Sequence, residues 1–181
     1  MAGSFEVRAE KVVHRGAVVT VSELEVATPE GETVTREVVR HPGAVAVVPL
    51  FDDGTVLLVR QWRAALGGEL IEIPAGKRDV ADEPAEITAN RELLEETGFW
   101  AGRLEKLVGF HNSAGFSDEH TIVYLGRGLR EADAHRHGPE ERHMTVERVP
   151  FSKALERISA GEITDAKTVI GLLAAARKLG I

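Results

Sequence analysis

The chain has 181 residues, 43% hydrophobic and 28% charged, with a formal net charge of −7. This length and composition are typical of a globular protein built around one packed core. The negative charge argues against nucleic acid as a partner, because non-specific binding to nucleic acid needs a basic surface. The absence of cysteine excludes a disulfide, a zinc–thiolate site and a thiol nucleophile.

Neither a membrane span nor a secretory signal is predicted. No apolar stretch reaches the roughly 20 residues that a membrane helix needs, and the first residues lack a basic segment followed by an apolar one. We therefore expect a cytoplasmic protein without a membrane partner. An acidic protein can still bind a polyphosphate if a divalent cation bridges the two sets of negative charges, and this requires clustered carboxylates.

The first part of the chain is predicted to form antiparallel strands. Residues 5–41 alternate between apolar and polar positions, and the turn-like segment 28–32 interrupts them. We interpret residues 1–42 as a small antiparallel unit that precedes a main domain over residues 43–181.

The next segment, residues 44–62, is predicted to form a second hairpin. Two apolar runs flank the sequence Asp-Asp-Gly at 52–54, and Asp-Gly between apolar runs is a strong signal for a tight hairpin turn. A further strand, residues 69–74, leads into the Ala-Gly pair at 75–76.

After this strand the pattern becomes helical. Pro84 suits the first turn of a helix, and Gly98 stands where a glycine often ends one. The remaining predicted elements are strands over 104–127 broken by a polar loop at 111–118, a polar loop at 128–142, a strand at 143–149 and helices at 153–160 and 165–178. Strands outnumber helices and are joined by short turns, which indicates an α+β domain with a mixed sheet.

Three glutamates on the predicted helix form the most informative pattern. Glu92, Glu95 and Glu96 stand at positions i, i+3 and i+4, so a helix places their carboxylates on one face. Like charges at this spacing repel, and the C-terminal end of a helix disfavours anions. A bound cation would relieve both effects, and an oxygen-only ligand set suits a hard cation such as Mg²⁺ or Mn²⁺. The alternative is an acidic helix face that is simply solvated.

The context of these glutamates resembles the Nudix box, a pattern of G, five residues, E, seven residues, then R-E-apolar-x-E-E-x-G-apolar. One position departs from it, because six residues rather than five separate Gly76 from Glu83. The extra residue precedes the helix and leaves the phase of the later positions unchanged. Arg91 lies eight residues after Glu83, and the two are expected to pair with each other rather than to touch substrate. The matching residues are Gly76, Glu83, Arg91, Glu92, Leu93, Glu95, Glu96, Gly98 and Phe99.

The resemblance implies a fold, a metal and a reaction. The fold is a mixed sheet sandwiched between helices, here with the small N-terminal antiparallel unit in front. In the family, the residues that match Glu92 and Glu96 are the main ligands of Mg²⁺, for which Mn²⁺ is a possible substitute. Glu95 is an additional or water-mediated ligand and is also counted among the catalytic carboxylates. The carbonyl of Ala75 completes the ligand set.

Three features resemble the ADP-ribose pyrophosphatase branch of this family. About forty strand-forming residues precede the box domain, and the segment GELIEIPAGK at 68–77 matches the branch's E-x-P-A-G approach to the box. Residues 111–119 resemble its S-P-G-F-S-D-E loop, with Ala114 where Pro is usual. The branch implies hydrolysis of ADP-ribose, or of a related nucleoside diphosphate derivative, to AMP and ribose 5-phosphate. It also implies a homodimer in which the subunits exchange their N-terminal segments.

The branch further implies a general base on a loop just before the last strand. Glu140 matches this position best and Glu141 next, although either residue could be a solvated loop charge. Glu119 is a further candidate, for the base or for a substrate contact, because it begins a strand near the expected metal-binding region.

Four more residues are candidates for binding the substrate. Arg63 matches an arginine that contacts the diphosphate in the branch, and a bidentate guanidinium suits phosphate oxygens. Arg36 and Arg40 could reach the partner subunit's site in a dimer, although the branch's arginine aligns with His41. Trp62 could stack on adenine or pack in the core.

Other functions stay open at this point. The box defines the chemistry but not the leaving group, so nucleotide sugars, NADH and dinucleoside polyphosphates are alternative substrates. A non-catalytic module that senses ADP-ribose is another alternative, but such modules usually lose box glutamates, and all three are present here. The match to the box disfavours a purely structural acidic domain.

Overall fold

The computed structural model describes residues 4–132 and 143–181, which form two compact units. The first unit contains the described residues up to Gly43 together with Phe110–His120. The second contains Ala44–Gly109 and the described part of Thr121–Ile181. The first unit thus combines the N-terminal segment with a short segment from the middle of the chain.

The first unit contains a three-stranded antiparallel sheet. Its strands are β1 (Glu6–Arg15), β2 (Thr20–Ala27) and β3 (Thr33–Arg40). They pair in the order β1-β2-β3, and every residue of β1 is exposed. The predicted turn at 28–32 joins β2 to β3, while a tighter turn, closed by a 2.8 Å hydrogen bond from the N–H of Gly16 to the carbonyl of Val19, joins β1 to β2. The predicted antiparallel strands are therefore present.

The second unit contains most of the remaining strands and the helices. The elements are β4 (Ala44–Pro49), β5 (Thr55–Arg63), β6 (Gly68–Glu72), β7 (Ala75–Lys77), α1 (Ala85–Thr97), β8 (Phe99–His111), β9 (His120–Glu131), β10 (Thr145–Pro150), α2 (Phe151–Ser159) and α3 (Ala166–Leu179). One sheet has the strand order β10-β5-β6 and the other β7-β4-β9-β8. Because β4 runs parallel to β9 and antiparallel to β7, the second of these sheets is mixed.

The mixed sheet lies between α1 and α3. On β4, Val45 and Val47 pack in a buried cluster with Leu93 of α1. Side chains alternate between the two faces of a strand, so Val48 lies on the opposite face. There, a Cβ added to Gly171 of α3 would lie 3.2 Å from the Val48 side chain, and this close approach brings the helix directly onto the sheet. The predicted α+β arrangement, a mixed sheet between helices, is confirmed.

The predicted hairpin over 44–62 is wrong. A turn does occur at 52–54, and Leu50 and Val56 form a single antiparallel bridge beside it. Beyond that bridge, β4 and β5 separate into different sheets. Both edges of β4 are occupied by β7 and β9, so β5 pairs with β6 and β10 instead.

Two other boundaries differ from the predictions. The strand predicted over 69–74 ends at Glu72, and a new strand begins at Ala75 after Pro74, which has no N–H to donate to a sheet. The loop predicted at 128–142 begins later than expected, because β9 continues to Glu131, and residues 133–142 lie outside the described part of the chain. Among the described residues, no helix is long and apolar enough to cross a membrane.

Candidate active site

Helix α1 carries the acidic pattern and has a sharply defined end. The N–H of Gly98 donates to the carbonyl of Leu94 at 2.8 Å, and Gly98 has a φ of 77°, which glycine adopts without strain. This confirms the predicted helix end. At the other end Pro84 occupies the N-cap position, and no side chain caps the helix.

Buried contacts fix the rotation of α1 about its axis. Leu93 is fully buried in the cluster below the helix. Asn90 fastens the helix to β8, since its side-chain amide donates to the carbonyl of Ala101 at 3.0 Å and accepts from the N–H of that residue at 2.9 Å. The box glutamates are therefore held in a constant position beside β7.

The glutamates meet the start of β7. Glu96 is 4% exposed and accepts a hydrogen bond from the N–H of Ala75 at 3.0 Å. The side chain of Glu92 lies directly against Gly76. Glu95 is the most exposed of the three, with 21% of its side chain accessible. The structure thus brings the predicted metal-binding residues together where α1 faces β7.

Arg91 binds the outer carboxylates. Its Nη1 donates to Glu92 at 2.8 Å and to Glu95 at 3.4 Å, and its Nη2 donates to Glu83 at 3.2 Å. Burial alone would lower the pKa of Arg91, but the three carboxylates raise it above its usual range. The predicted pair of Arg91 and Glu83 is confirmed, and Arg91 orients the box carboxylates.

The crowded carboxylates have strongly perturbed pKa values. Burial raises the pKa of Glu96 to about 8, and the negative charge of Glu92 adds to the effect. Burial likewise raises the pKa of Glu92 to about 7, and Glu95 contributes to that shift. Both ionised forms are therefore unfavourable when no cation is bound.

This donor set fits a hard divalent cation. All of its candidate donor atoms are oxygens, and a bound cation would reverse the penalty that the ionised carboxylates suffer. Among the described residues, no three His, Asp or Glu side chains are already arranged to hold a metal ion. Arg91 and the N–H of Ala75 take up the carboxylate oxygens of Glu92 and Glu96 instead. The residues that could bind the cation are Glu92, Glu95 and Glu96, together with the carbonyl of Ala75.

Gly76 makes room for one of these ligands. A Cβ at this position would lie 1.9 Å from Cδ of Glu92, so the Gly76→Ala variant must displace that carboxylate. We expect the affinity for Mn²⁺, measured by titration, to fall by roughly 10- to 100-fold, the range found when the support of a metal ligand is lost. Gly68→Ala is the matched control, because a Cβ there meets nothing within 4 Å. Unchanged Mn²⁺ affinity in Gly76→Ala would contradict the role of Glu92.

Arg63, the predicted phosphate contact, forms an ion pair with a buried glutamate. Its Nε and Nη2 donate to the two carboxylate oxygens of Glu72 at 2.7 and 2.5 Å. Glu72 is fully buried and also accepts a hydrogen bond from Lys167. Burial would raise the pKa of Glu72, but the two cations outweigh it and hold that pKa below its usual value. The Arg63 side chain remains 40% exposed, so part of the guanidinium is accessible to a ligand.

A comparison with family models decides the family. Residues 40–169 match the model of the NUDIX domain. The chain belongs to the Nudix family. The family predicted from the box is therefore confirmed, and with it the enzyme class, a Nudix hydrolase.

Similar proteins cover almost the whole chain. An ADP-ribose pyrophosphatase of Mycobacterium tuberculosis is 42% identical over 170 residues, which span 94% of this chain and 82% of that protein. An ADP-ribose pyrophosphatase of Bacillus subtilis is 38% identical over 164 residues, 91% of this chain and 88% of that protein. The crystal structure of an ADP compounds hydrolase superposes with a TM-score of 0.86 at 20% identity, over 99% of this chain and 96% of the other. That superposition confirms the Nudix fold.

Three predicted substrate residues belong to the first unit. Arg40 donates to Glu10 at 3.1 and 3.0 Å and to Asp118 at 3.1 Å. Arg36 is exposed and donates to a neighbouring backbone carbonyl at 2.8 Å, and the side chain of Glu119 is 31% exposed. Arg40 is therefore bound to two carboxylates. The side chains of Arg36 and Glu119 are at least partly accessible to solvent.

The remaining predicted site residues divide into two groups. Trp62 on β5 is 47% exposed, which rules out the alternative that it packs in the core. Glu140 and Glu141 lie outside the described residues.

Sequence reasoning missed Glu72 and Lys167. Glu72 is the acid of the E-x-P-A-G segment, so its position was visible, but its two cationic partners were not. Lys167 lies 95 residues further along the chain. No local pattern connects residues at that separation.

Proposed function

We propose that the protein is a cytoplasmic, Mg²⁺-dependent hydrolase that cleaves the diphosphate of ADP-ribose with water to give AMP and ribose 5-phosphate. The observation that carries this proposal is the complete set of box carboxylates in a chain 42% identical to an ADP-ribose pyrophosphatase over nearly its whole length. Intact carboxylates favour a hydrolase over a module that only senses ADP-ribose.

The metal-binding residues would be Glu92, Glu95, Glu96 and the carbonyl of Ala75. Bound Mg²⁺ supplies neutralisation of the diphosphate charge and a lowered pKa for a coordinated water. The protein's own contribution is to hold these oxygens in place, through Arg91 on the outer carboxylates and through the backbone N–H on Glu96.

Two residues of β5 are proposed to bind the substrate. Arg63 would donate from its exposed edge to a diphosphate oxygen while its other edge stays on Glu72. The exposed indole of Trp62 would stack on the adenine.

A glutamate is proposed to take the proton of the attacking water. Glu140 remains the first candidate and Glu141 the second, on their sequence position before β10. Glu119 of the first unit is the third candidate. Glu95, the most exposed box carboxylate, could assist through a bound water.

We also propose a homodimer that forms through the first unit. Its sheet has only three strands, and β1 is exposed throughout, with Phe5 and Val7 more than half accessible. A sheet of three strands needs a packed hydrophobic face to be stable by itself, and exposed apolar side chains favour association. In the dimer, Arg36 and Arg40 would approach the substrate of the partner subunit.

Sedimentation of the full chain tests this assembly. We expect twice the 19.6 kDa mass of one chain at micromolar concentration. A variant that starts at Pro42 should sediment as a monomer or aggregate, because it lacks all three strands of the sheet. A full-length monomer at micromolar concentration would contradict the proposal.

A substrate panel tests the proposed activity. The compounds are ADP-ribose, ADP-glucose, GDP-mannose, NADH and diadenosine polyphosphates, each assayed with Mg²⁺ and with Mn²⁺. We expect the highest kcat/KM for ADP-ribose, equal amounts of AMP and ribose 5-phosphate, and complete loss of activity in EDTA. A higher kcat/KM for a nucleotide sugar or NADH would assign a different leaving group to the same site.

A further inference from the structure

Two cationic side chains contact the carboxylate of Glu72. Arg63 binds both of its oxygens, and Lys167 donates to Oε2, the oxygen that also accepts from Nη2 of Arg63. Glu72 is completely inaccessible to solvent, so water cannot screen this group. Lys167 also pairs with Asp165, so two cations balance two carboxylates here, and without Lys167 the single charge of Arg63 would face both carboxylates.

The register of the sheet shows that the backbone of Arg63 is not opposite that of Glu72. In the pairing of β5 with β6, Arg63 lies opposite Gly68, whereas Glu72 lies opposite Val59. Four residues of strand correspond to roughly 13 Å. The Arg63 side chain must therefore extend along the face of the sheet to reach Glu72. Its two hydrogen bonds to the carboxylate then fix the orientation of the guanidinium.

The guanidinium keeps one edge for another ligand. Its Nε and Nη2 are used by Glu72, and no group in the described residues accepts a hydrogen bond from Nη1. The side chain is 40% exposed, and its charge acts on Glu96 of the metal-binding set. Nη1 therefore has no acceptor among the described residues and belongs to a side chain whose charge reaches the proposed metal-binding set.

Lys167 cannot contact a substrate itself. Its side chain is 13% exposed, and its ammonium group donates to Asp165 at 2.9 Å as well as to Glu72. Asp165 is in turn fixed as the N-cap of α3, where it accepts from the N–H of Thr168 at 3.0 Å. Lys167 contacts Glu72 directly, and its charge also acts on Glu96 of the proposed metal-binding set.

We propose that Lys167 is a positioning residue for diphosphate binding: it neutralises Glu72, so that the charge and the Nη1 group of Arg63 remain available to the substrate. Without Lys167, the buried carboxylate would cancel the charge of Arg63 and draw it inward. The lowered pKa of Glu72 supports this picture, because Arg63 and Lys167 together outweigh the effect of its burial. The inference rests on the proposed hydrolysis of a nucleoside diphosphate derivative.

The test combines kinetics with binding. KM and kcat are measured with ADP-ribose and Mg²⁺, and the Kd of α,β-methylene ADP-ribose is measured by calorimetry. We expect Lys167→Met to raise KM and Kd roughly tenfold, the scale of one charge-assisted hydrogen bond, and to change kcat by less than about twofold. Lys167→Arg should restore binding to within about threefold of the wild type, because it keeps the charge.

A double-mutant cycle separates this role from simple loss of structure. If Lys167 acts through Arg63, then Lys167→Met should have no further effect on Kd in an Arg63→Met background. Lys178→Met is the matched control: it removes an ion pair with Glu105 at the other end of the same helix and should leave Kd unchanged. Thermal unfolding verifies the fold of each variant, and Lys167→Gln replaces Lys167→Met if the latter is unfolded.

The outcomes are distinguishable from failure of the proposed function. Wild-type Kd in Lys167→Met, or losses that multiply in the double variant, would overturn the role of Lys167 while ADP-ribose hydrolysis stands. A wild-type protein that neither binds nor hydrolyses ADP-ribose would overturn the proposed function and this inference together.

Discussion

Glu96→Gln is expected to abolish hydrolysis and, at the same time, to stabilise the metal-free protein. The substitution removes one charge from the proposed ligand set, and a bound divalent cation contributes several kcal/mol to the stabilisation of a phosphoryl transition state. We therefore expect kcat to fall by at least about 10³-fold. Glu96 is 4% exposed, and its carboxylate is held against the start of β7 by the N–H of Ala75.

The gain in stability follows from the raised pKa. Between its ordinary value of 4.5 and about 8, the folded protein retains a proton on Glu96 that the unfolded chain has released. The folded state binds more protons in this window, so the free energy of unfolding of the metal-free protein decreases as the pH rises through it. Gln carries no charge to bury and can accept the same hydrogen bond from the N–H of Ala75.

Thermal unfolding in EDTA measures this effect. The Tm of Glu96→Gln should exceed that of the wild type by about 5 °C at pH 8.5 and should match it near pH 4.5. Added Mg²⁺ should raise the Tm of the wild type but not that of the variant, because only the wild type binds the cation tightly. Glu86→Gln is the matched control, since Glu86 is an exposed residue in the first turn of the same helix. Undiminished activity in Glu96→Gln would remove the metal assignment.

The box could be located from the sequence because its signal is local. Glu92, Glu95 and Glu96 lie within five residues, and Gly98 marks the helix end that their phase requires. Helical geometry alone then places the carboxylates on one face. The pairing of Arg91 with Glu83 was also predicted, although Glu83 lies just before the helix.

The predicted hairpin was wrong because a local sequence signal does not determine which strands pair. The turn at 52–54 is real, but a turn does not determine which strands pair. The apolar run at 44–50 contained a clue, because continuous burial without alternation is typical of a central strand with neighbours on both edges. A strand in a hairpin with one solvated face would have alternated. The pairing of β4 with β9, which is distant in sequence, therefore replaced the predicted pairing of β4 with β5.

The Glu72 cluster was beyond sequence reasoning for a related reason. A glutamate in a strand ordinarily indicates an exposed position, and only the tertiary structure shows that this one is fully buried between Arg63 and Lys167. The cost of burying the charge is offset by partners from two elements that are distant in sequence. The proposed metal ligands could thus be predicted from the sequence, whereas the ion pairs of Glu72 could not.

Glu140→Gln is expected to lower kcat by about 10²- to 10⁴-fold, the usual range for loss of general-base catalysis. The reason is positional: in the sequence, an acidic pair stands three residues before β10, and the resemblance to the ADP-ribose pyrophosphatase branch implies a base just before this strand. Metal affinity and KM should change little, because the base is not proposed to hold the cation or the diphosphate. The acidic limb of the pH profile of kcat should also disappear, since Gln cannot titrate.

Glu141→Gln is the control, because it removes the same charge from the adjacent position. If Glu140 is the base, Glu141→Gln should keep kcat within a few-fold of the wild type and retain the acidic limb. The reverse result would assign the base to Glu141. Near-normal kcat in both single variants and in the double variant would show that the base lies elsewhere, and Glu119, whose side chain is partly exposed in the first unit, is then the next residue to replace.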